Sequence, residues 1–146
     1  MKNNLQKVCT KQTFSYLCSV LLKLQSQQDK NGKSSMEYLF QAIKEIATEN
    51  PDGFTVKIPS LEFQISGYIA AYSETQNCFG DEGLRKVLEH VLAHDKIVGG
   101  WRNKQNKQFY FDSSKVFETK EEAIEFGRKH KQIAIFDLYA FREYRL

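Results

Sequence analysis

The sequence is poor in the residues that most often announce a chemistry. Its three cysteines, Cys9, Cys18 and Cys78, form no C-x-x-C pair and no second cluster. That pattern argues against a disulfide framework or a structural zinc site, and it fits a reducing, cytoplasmic setting. No apolar run reaches the roughly 20 residues that a membrane span needs. The greasiest, Leu17 to Leu24, is broken by Ser19 and Lys23. Lysines precede that run as they would in a secretory signal, yet a small-residue cleavage site is missing and QSQQDK stands in its place. A glycine-rich phosphate loop is lacking too. Gly99-Gly100 lies inside a strand-like run, and Gly80 and Gly83 lack the lysine and spacing of a P-loop.

What remains is an ordinary globular composition. With 146 residues, 41% of them hydrophobic, the chain can build one domain with a real core plus an appendage. The net charge of +3 is mild but unevenly spread. Residues 1–34 hold six lysines, Lys11 and Lys23 among them, against the single acid Asp29, whereas residues 35–53 are acidic. Such asymmetry can steer a partner without specifying it.

Periodicity predicts two helices first. Phe14, Leu17, Leu21 and Leu24 recur at helical spacing before Asn31-Gly32. Ser34-Ser35-Met36-Glu37 is a capping-box pattern opening a second helix, whose buried face is Met36, Leu39, Phe40, Ile43 and Ile46. Pro51-Asp52-Gly53 ends it in a turn. Beyond Phe54 the period becomes that of strands: FTVKI, then GYIAAYS. A helix carrying Leu84, Val87, Leu88, Val91 and Leu92 follows, and then KIVGGWRN and KQFYFDSSKVF as a β-hairpin with a polar, basic tip. A second capping box, Thr119 to Glu122, opens a helix, and QIAIFDL closes the pattern as a strand that the tail can extend. The expected fold is α+β: a helical hairpin over 1–49, then over 50–146 a mixed or antiparallel sheet domain of order β-β-α-β-β-α-β.

Three constellations bear on function. His90 and His94 stand four apart on a helix, as two metal ligands would, with Asp95 or His130 as further donors. The metalloprotease pattern needs a glutamate directly after the first histidine, and Val91 occupies that place. A half-exposed helix face with His94 near the helix end explains the same spacing, so no metal or cofactor is implied. Cys78, just before a helix, has the position of an activated thiol, but no signature ties it to a base. The third constellation is the hairpin. Lys96, Trp101, Arg102, Lys104, Lys107 and Tyr110 mix cations with aromatic rings, as single-stranded nucleic acid or a macromolecular partner would require, while an exposed soluble hairpin would also use such lysines. The polar stretch SETQNCFGDEG, Ser73 to Gly83, reads as a structured connector in which Thr75, Gln76 and Asn77 suit a surface loop.

From Asn50 onward the motifs NPDGFTV, GYIAAYSETQNCFG, VLAHDKIVGGW, FYFDSSKVF and IAIFDL resemble a family of small, uncharacterised proteins carried by bacterial phages and mobile elements. The resemblance covers about two thirds of the chain and leaves the lysine-rich helices outside it. Small phage-borne proteins lacking catalytic machinery commonly block host defences, so the resemblance implies an anti-CRISPR role, against an RNA-targeting effector. The expected partner is then a host defence protein or ribonucleoprotein, bound through the hairpin residues and through Lys11 and Lys23, with RNA a further partner. The chain itself is expected to be no enzyme. The rival expectations are a nucleic-acid-binding accessory protein and, third, a metal-dependent enzyme using His90 and His94.

Overall fold

A computed structural model describes residues 33–146. The first expected helix, with Lys11 and Lys23, lies outside the described residues. Of the first capping box, Ser34 and Ser35 fall within the helix backbone, and their side chains are outside what is described. The helix predicted from Met36 onward is present as α1, Lys33–Glu49. Its stripe Leu39, Phe40, Ile43 and Ile46 is buried, at 3% exposure or less. These side chains belong to the same cluster as Val56, Leu84, Leu88, Val98 and Phe111. Residues 33–49, grouped with an appendage on sequence grounds, are therefore built into the core of the sheet unit. Arg85 on the next helix ties α1 down further, 3.1 Å from Glu37 and with its guanidinium 4.0 Å over the Phe40 ring.

The strands are β1 (Phe54–Lys57), β2 (Glu62–Phe63), β3 (Tyr68–Ala71), β4 (Cys78–Phe79), β5 (Ile97–Arg102), β6 (Phe109–Phe117), β7 (Ala134–Asp137) and β8 (Arg142–Arg145). They make one sheet in the order β2-β1-β5-β6-β3-β7-β8, with β4 also paired to β6. Every pairing is antiparallel. The alternation expected in the sequence is thus correct at α+β level, and three short strands join it: β2, β4 and the tail strand β8. The two-residue strands β2 and β4 carry too little period to show in a sequence, and β8 is the tail extending the sheet.

Two more helices, α2 (Gly80–Ala93) and α3 (Lys120–Lys129), lie on the same side of the sheet as α1. Side chains alternate along β6, so Phe109, Phe111, Ser113, Lys115 and Phe117 face the helices. On α2, Leu84, Val87, Leu88 and Val91 are buried at 1% exposure or less, each worth about 1.5–3 kcal/mol of apolar transfer. Thr119 caps α3: its hydroxyl accepts from the Glu122 amide and the Glu122 carboxylate accepts from the Thr119 amide, the predicted box. A smaller cluster of Ile69, Ile97 and Leu138 forms on the opposite face.

Candidate functional site

The loop that leaves β3 and returns as β4 organises the middle of the molecule. After Ala71 the chain abandons its ladder with β6, makes one 3-10 turn over Ser73–Thr75 and rejoins β6 at Cys78. Leaving a ladder orphans a strand amide, and here the Thr75 hydroxyl replaces the missing carbonyl by accepting from the Ser113 amide at 3.0 Å. Thr75 is 1% exposed, so it is a buried ladder substitute and not the surface loop residue that its polarity suggested. Asn77 (φ 60°) and Gly80 (φ 66°) then turn the chain directly into α2. Gly83 on that helix packs onto Cys78, where an added Cβ would lie 2.8 Å from the Cys78 carbonyl carbon. Cys78 itself is buried at 6% exposure and serves as a packing residue.

All three histidines of the chain converge on Tyr72, at the end of β3. The His90, His94 and His130 rings lie 4.9, 5.0 and 5.1 Å from the Tyr72 ring, and Phe126 of α3 closes the ring at 5.0 Å. The Tyr72 hydroxyl donates to Asp95. Burial, and then that bond, push the Tyr72 phenol well above its ordinary range. Lys115 reaches within 3.9 Å of the other Asp95 oxygen, so it belongs to this cluster. His90 Nδ1 is 2.8 Å from Ser113 Oγ, and His94 Nδ1 is 2.7 Å from the His90 carbonyl. Desolvation first, and the neighbouring His94 second, hold the His90 imidazole below its usual value. The two rings stack nearly parallel, centroids 3.7 Å apart, so their in-plane nitrogen lone pairs do not point at one common position. Among the described residues no group of three His, Cys, Asp or Glu side chains is arranged to hold a metal ion.

The hairpin places its residues differently. Asn103 builds the tip: its Oδ1 accepts from the Gln105 amide at 2.8 Å, and its backbone carbonyl accepts from the Lys107 amide at 2.9 Å. Register then sets Phe79, Tyr110 and Trp101 directly opposite one another across β4, β6 and β5. Trp101 stacks on Tyr110 with centroids 5.1 Å apart and planes 18° apart, and Phe79 meets the same Tyr110 edge-on at 5.6 Å. Phe79 is 48% exposed and Trp101 45%, so this three-ring ladder is a surface and not a core. Asn106 pins the middle ring, its Nδ2 donating to the Tyr110 hydroxyl at 2.8 Å.

Strand alternation divides the basic residues that sequence alone would pool. Arg102 and Lys107 turn to the helix side and line a groove with Lys44, Thr48, Asp81 and Phe109, whereas Trp101 and Tyr110 turn to the other face. Lys44 already pairs with Asp81 at 3.0 Å. Lys104 sits on the tip itself. Lys96 does not join them: it lies in the α2–β5 turn, five residues from Trp101, about 17 Å away at the usual rise per residue. Phe79, which completes the ladder, is the member that sequence reading missed. Only the pairing of β4 to β6 brings it beside Tyr110, and no local pattern encodes that.

No described helix is long and apolar enough to cross a membrane. Comparisons with protein-family models, with curated proteins and with solved structures find no match to this chain.

Proposed function

We propose that the chain is a binding protein that performs no chemistry itself and inhibits a host-defence ribonucleoprotein, engaging it through the exposed end of the β5–β6 hairpin. The observation that supports this most is the ladder Phe79–Tyr110–Trp101, three aromatic rings aligned by register, held by packing and left open to solvent beside a basic tip. Rigid aromatic anchors ringed by polar and cationic groups are the usual makings of a binding hot spot. The likeness of its motifs to phage-borne proteins adds the choice of partner, an RNA-targeting effector.

The test is an interference assay in bacteria carrying such an effector, with the full chain or its variants expressed. Protection by the parent chain, and its loss in Trp101→Ala and Arg102→Ala, is the expected result. In direct binding each variant should cost more than about 1 kcal/mol. Equal protection by both variants would remove the hairpin from the account. A second reading, a nucleic-acid accessory protein, draws on the groove carrying Arg102, Lys107 and Lys44. It requires affinity that falls steeply with salt in the absence of any protein partner.

A further inference from the structure

We infer that Trp101 receives an unpaired nucleobase on the face of its indole turned away from Tyr110, so that the component of the partner touched directly by this protein is a single-stranded nucleic acid. The inference rests on the reading of the hairpin as the binding surface, and it goes further by naming what that surface holds.

The two faces of the Trp101 ring have different surroundings. Tyr110 covers one of them in a near-parallel stack. On the other side the neighbouring strand is β1, antiparallel to β5, with Phe54 paired to Gly100. One residue further along that register, Gly53 stands opposite Trp101. Gly53 brings no side chain there, and a Cβ built on it would lie 3.8 Å from the Trp101 Cβ. Its φ of 129° is one that side-chain-bearing residues rarely adopt, so the backbone favours keeping this position bare. The indole therefore has one face covered by protein and one face bordered by a residue with nothing to cover it, on a side chain 45% exposed.

A planar aromatic group is the complement of such a face, and the charge nearby selects which planar group. From Trp101 to Tyr110 the chain carries Arg102, Lys104 and Lys107 and no acid; the neighbouring acids are Asp52, next to Gly53, and Asp81, which Lys44 pairs at 3.0 Å. Arg102 and Lys107 lie on the opposite side of the hairpin from Trp101. A strand that stacks one base on the indole and passes over the tip would thus meet cations on its phosphates as it leaves. Duplex bases are already stacked and cannot present a face in this way, so the geometry favours single strands. Pre-organisation contributes as well. The Asn103 turn fixes the tip and Asn106 holds the Tyr110 hydroxyl, so little ordering is left to accompany binding.

Trp101 is the only tryptophan in the chain, so its emission reports on the site without a label. The full chain is titrated with a short oligouridylate, with the matching oligothymidylate, with a duplex of the same length, and with heparin. The expected result is saturable quenching by the single strands and little by duplex or heparin. The log–log salt slope should be about −2, as three neutralised phosphates at about 0.7 each would give. With a dye-labelled oligouridylate, Trp101→Leu should weaken binding by about tenfold or more, and Trp101→Phe should recover part of the loss. An unchanged denaturation midpoint in Trp101→Leu shows that the loss is not unfolding. Quenching by RNA and not by DNA would identify the 2′-hydroxyl as a further contact, while equal quenching would locate recognition in base and phosphate alone; both outcomes support the stack. Unchanged emission at saturating oligonucleotide, or equal affinity in Trp101→Leu, overturns it. If emission is unchanged while Trp101→Ala still abolishes protection in cells, the partner at this surface is protein, and the binding-surface reading survives the loss of this inference. If neither readout responds to Trp101, both fall.

Discussion

His90 and His94 lie face to face, ring centroids 3.7 Å apart and planes only 4° from parallel. Two neutral imidazoles tolerate that stack, and two imidazolium cations repel in it. His90 Nε2 is also buried with no hydrogen-bond partner, so a second N–H on this ring would have nowhere to donate.

These facts set a pH dependence of stability. The folded protein holds the His90 pKa below its ordinary value of about 6.5, so the unfolded chain takes up a proton first as pH falls. Stability is then fully present above about pH 6.5 and declines as pH drops toward the lower, folded-state value. The groups facing His90 are His94 and Asp95 at the end of α2, Tyr72 and Glu74 on the β3–β4 connection, Ser113 and Lys115 on β6, and His130 on α3. Denaturant melts between pH 7.5 and 5.5, about one unit to either side of that ordinary value, should show the decline. His94→Ala, which removes one opposing charge, should flatten it. An identical slope in that variant would contradict the assignment.

Thr75→Val should destabilise by about 1–3 kcal/mol, because the Ser113 amide loses its acceptor inside the sheet. Thr75→Ser keeps the oxygen and should recover most of the loss. Chemical denaturation of the three proteins decides it, and a valine variant within about 0.5 kcal/mol of the parent would mean that another group reaches the amide.

Asp112 carries the opposite pH sign. Its carboxyl is enclosed although the residue as a whole is only half-buried, and this burial raises its pKa against a smaller opposing effect of the Ser114 hydrogen bond. A raised acid is tolerated best when protonated, so its contribution is favourable at low pH and is lost as pH rises through the folded-state value. Asp112→Asn should therefore be more stable than the parent near neutral pH and gain little at about pH 4, where an unperturbed carboxyl titrates. A less stable asparagine variant at neutral pH would contradict the burial of an uncompensated carboxylate at this position.

Gly100→Ala should cost about 1–3 kcal/mol, since a Cβ there runs into the Phe54 and Phe109 rings, which stack with centroids 6.0 Å apart and cannot both give way. A thermal melt suffices to check it. Phe109→Leu, combined with Gly100→Ala, should restore part of the loss by vacating the space.

The parts of the fold legible in the sequence are those whose signal is local. The stripe Leu84, Val87, Leu88 and Val91 closes on a single helix face, and the Thr119–Glu122 box is written in four consecutive residues. The same holds for the hairpin tip, where polar residues separate two β-branched and aromatic runs. Sequence reading also pooled Lys96, Arg102, Lys107 and Trp101 into one patch, because adjacency along a chain does not say which face of a strand a side chain takes or how far the ends lie apart.

By itself, then, the sequence determined which of the longer described segments are helix and which are strand, through period and capping chemistry that neighbours in the chain supply. The tertiary structure alone decided that α1 completes the core, that a threonine hydroxyl stands in for a ladder carbonyl, that three histidines separated by up to 40 positions meet on one tyrosine, and that Phe79 joins Tyr110 and Trp101 in one ladder. The first and third come from helices packing on one face of the sheet, and the second and fourth from register between strands distant in the chain; both are fixed by collective burial and not by any stretch read on its own.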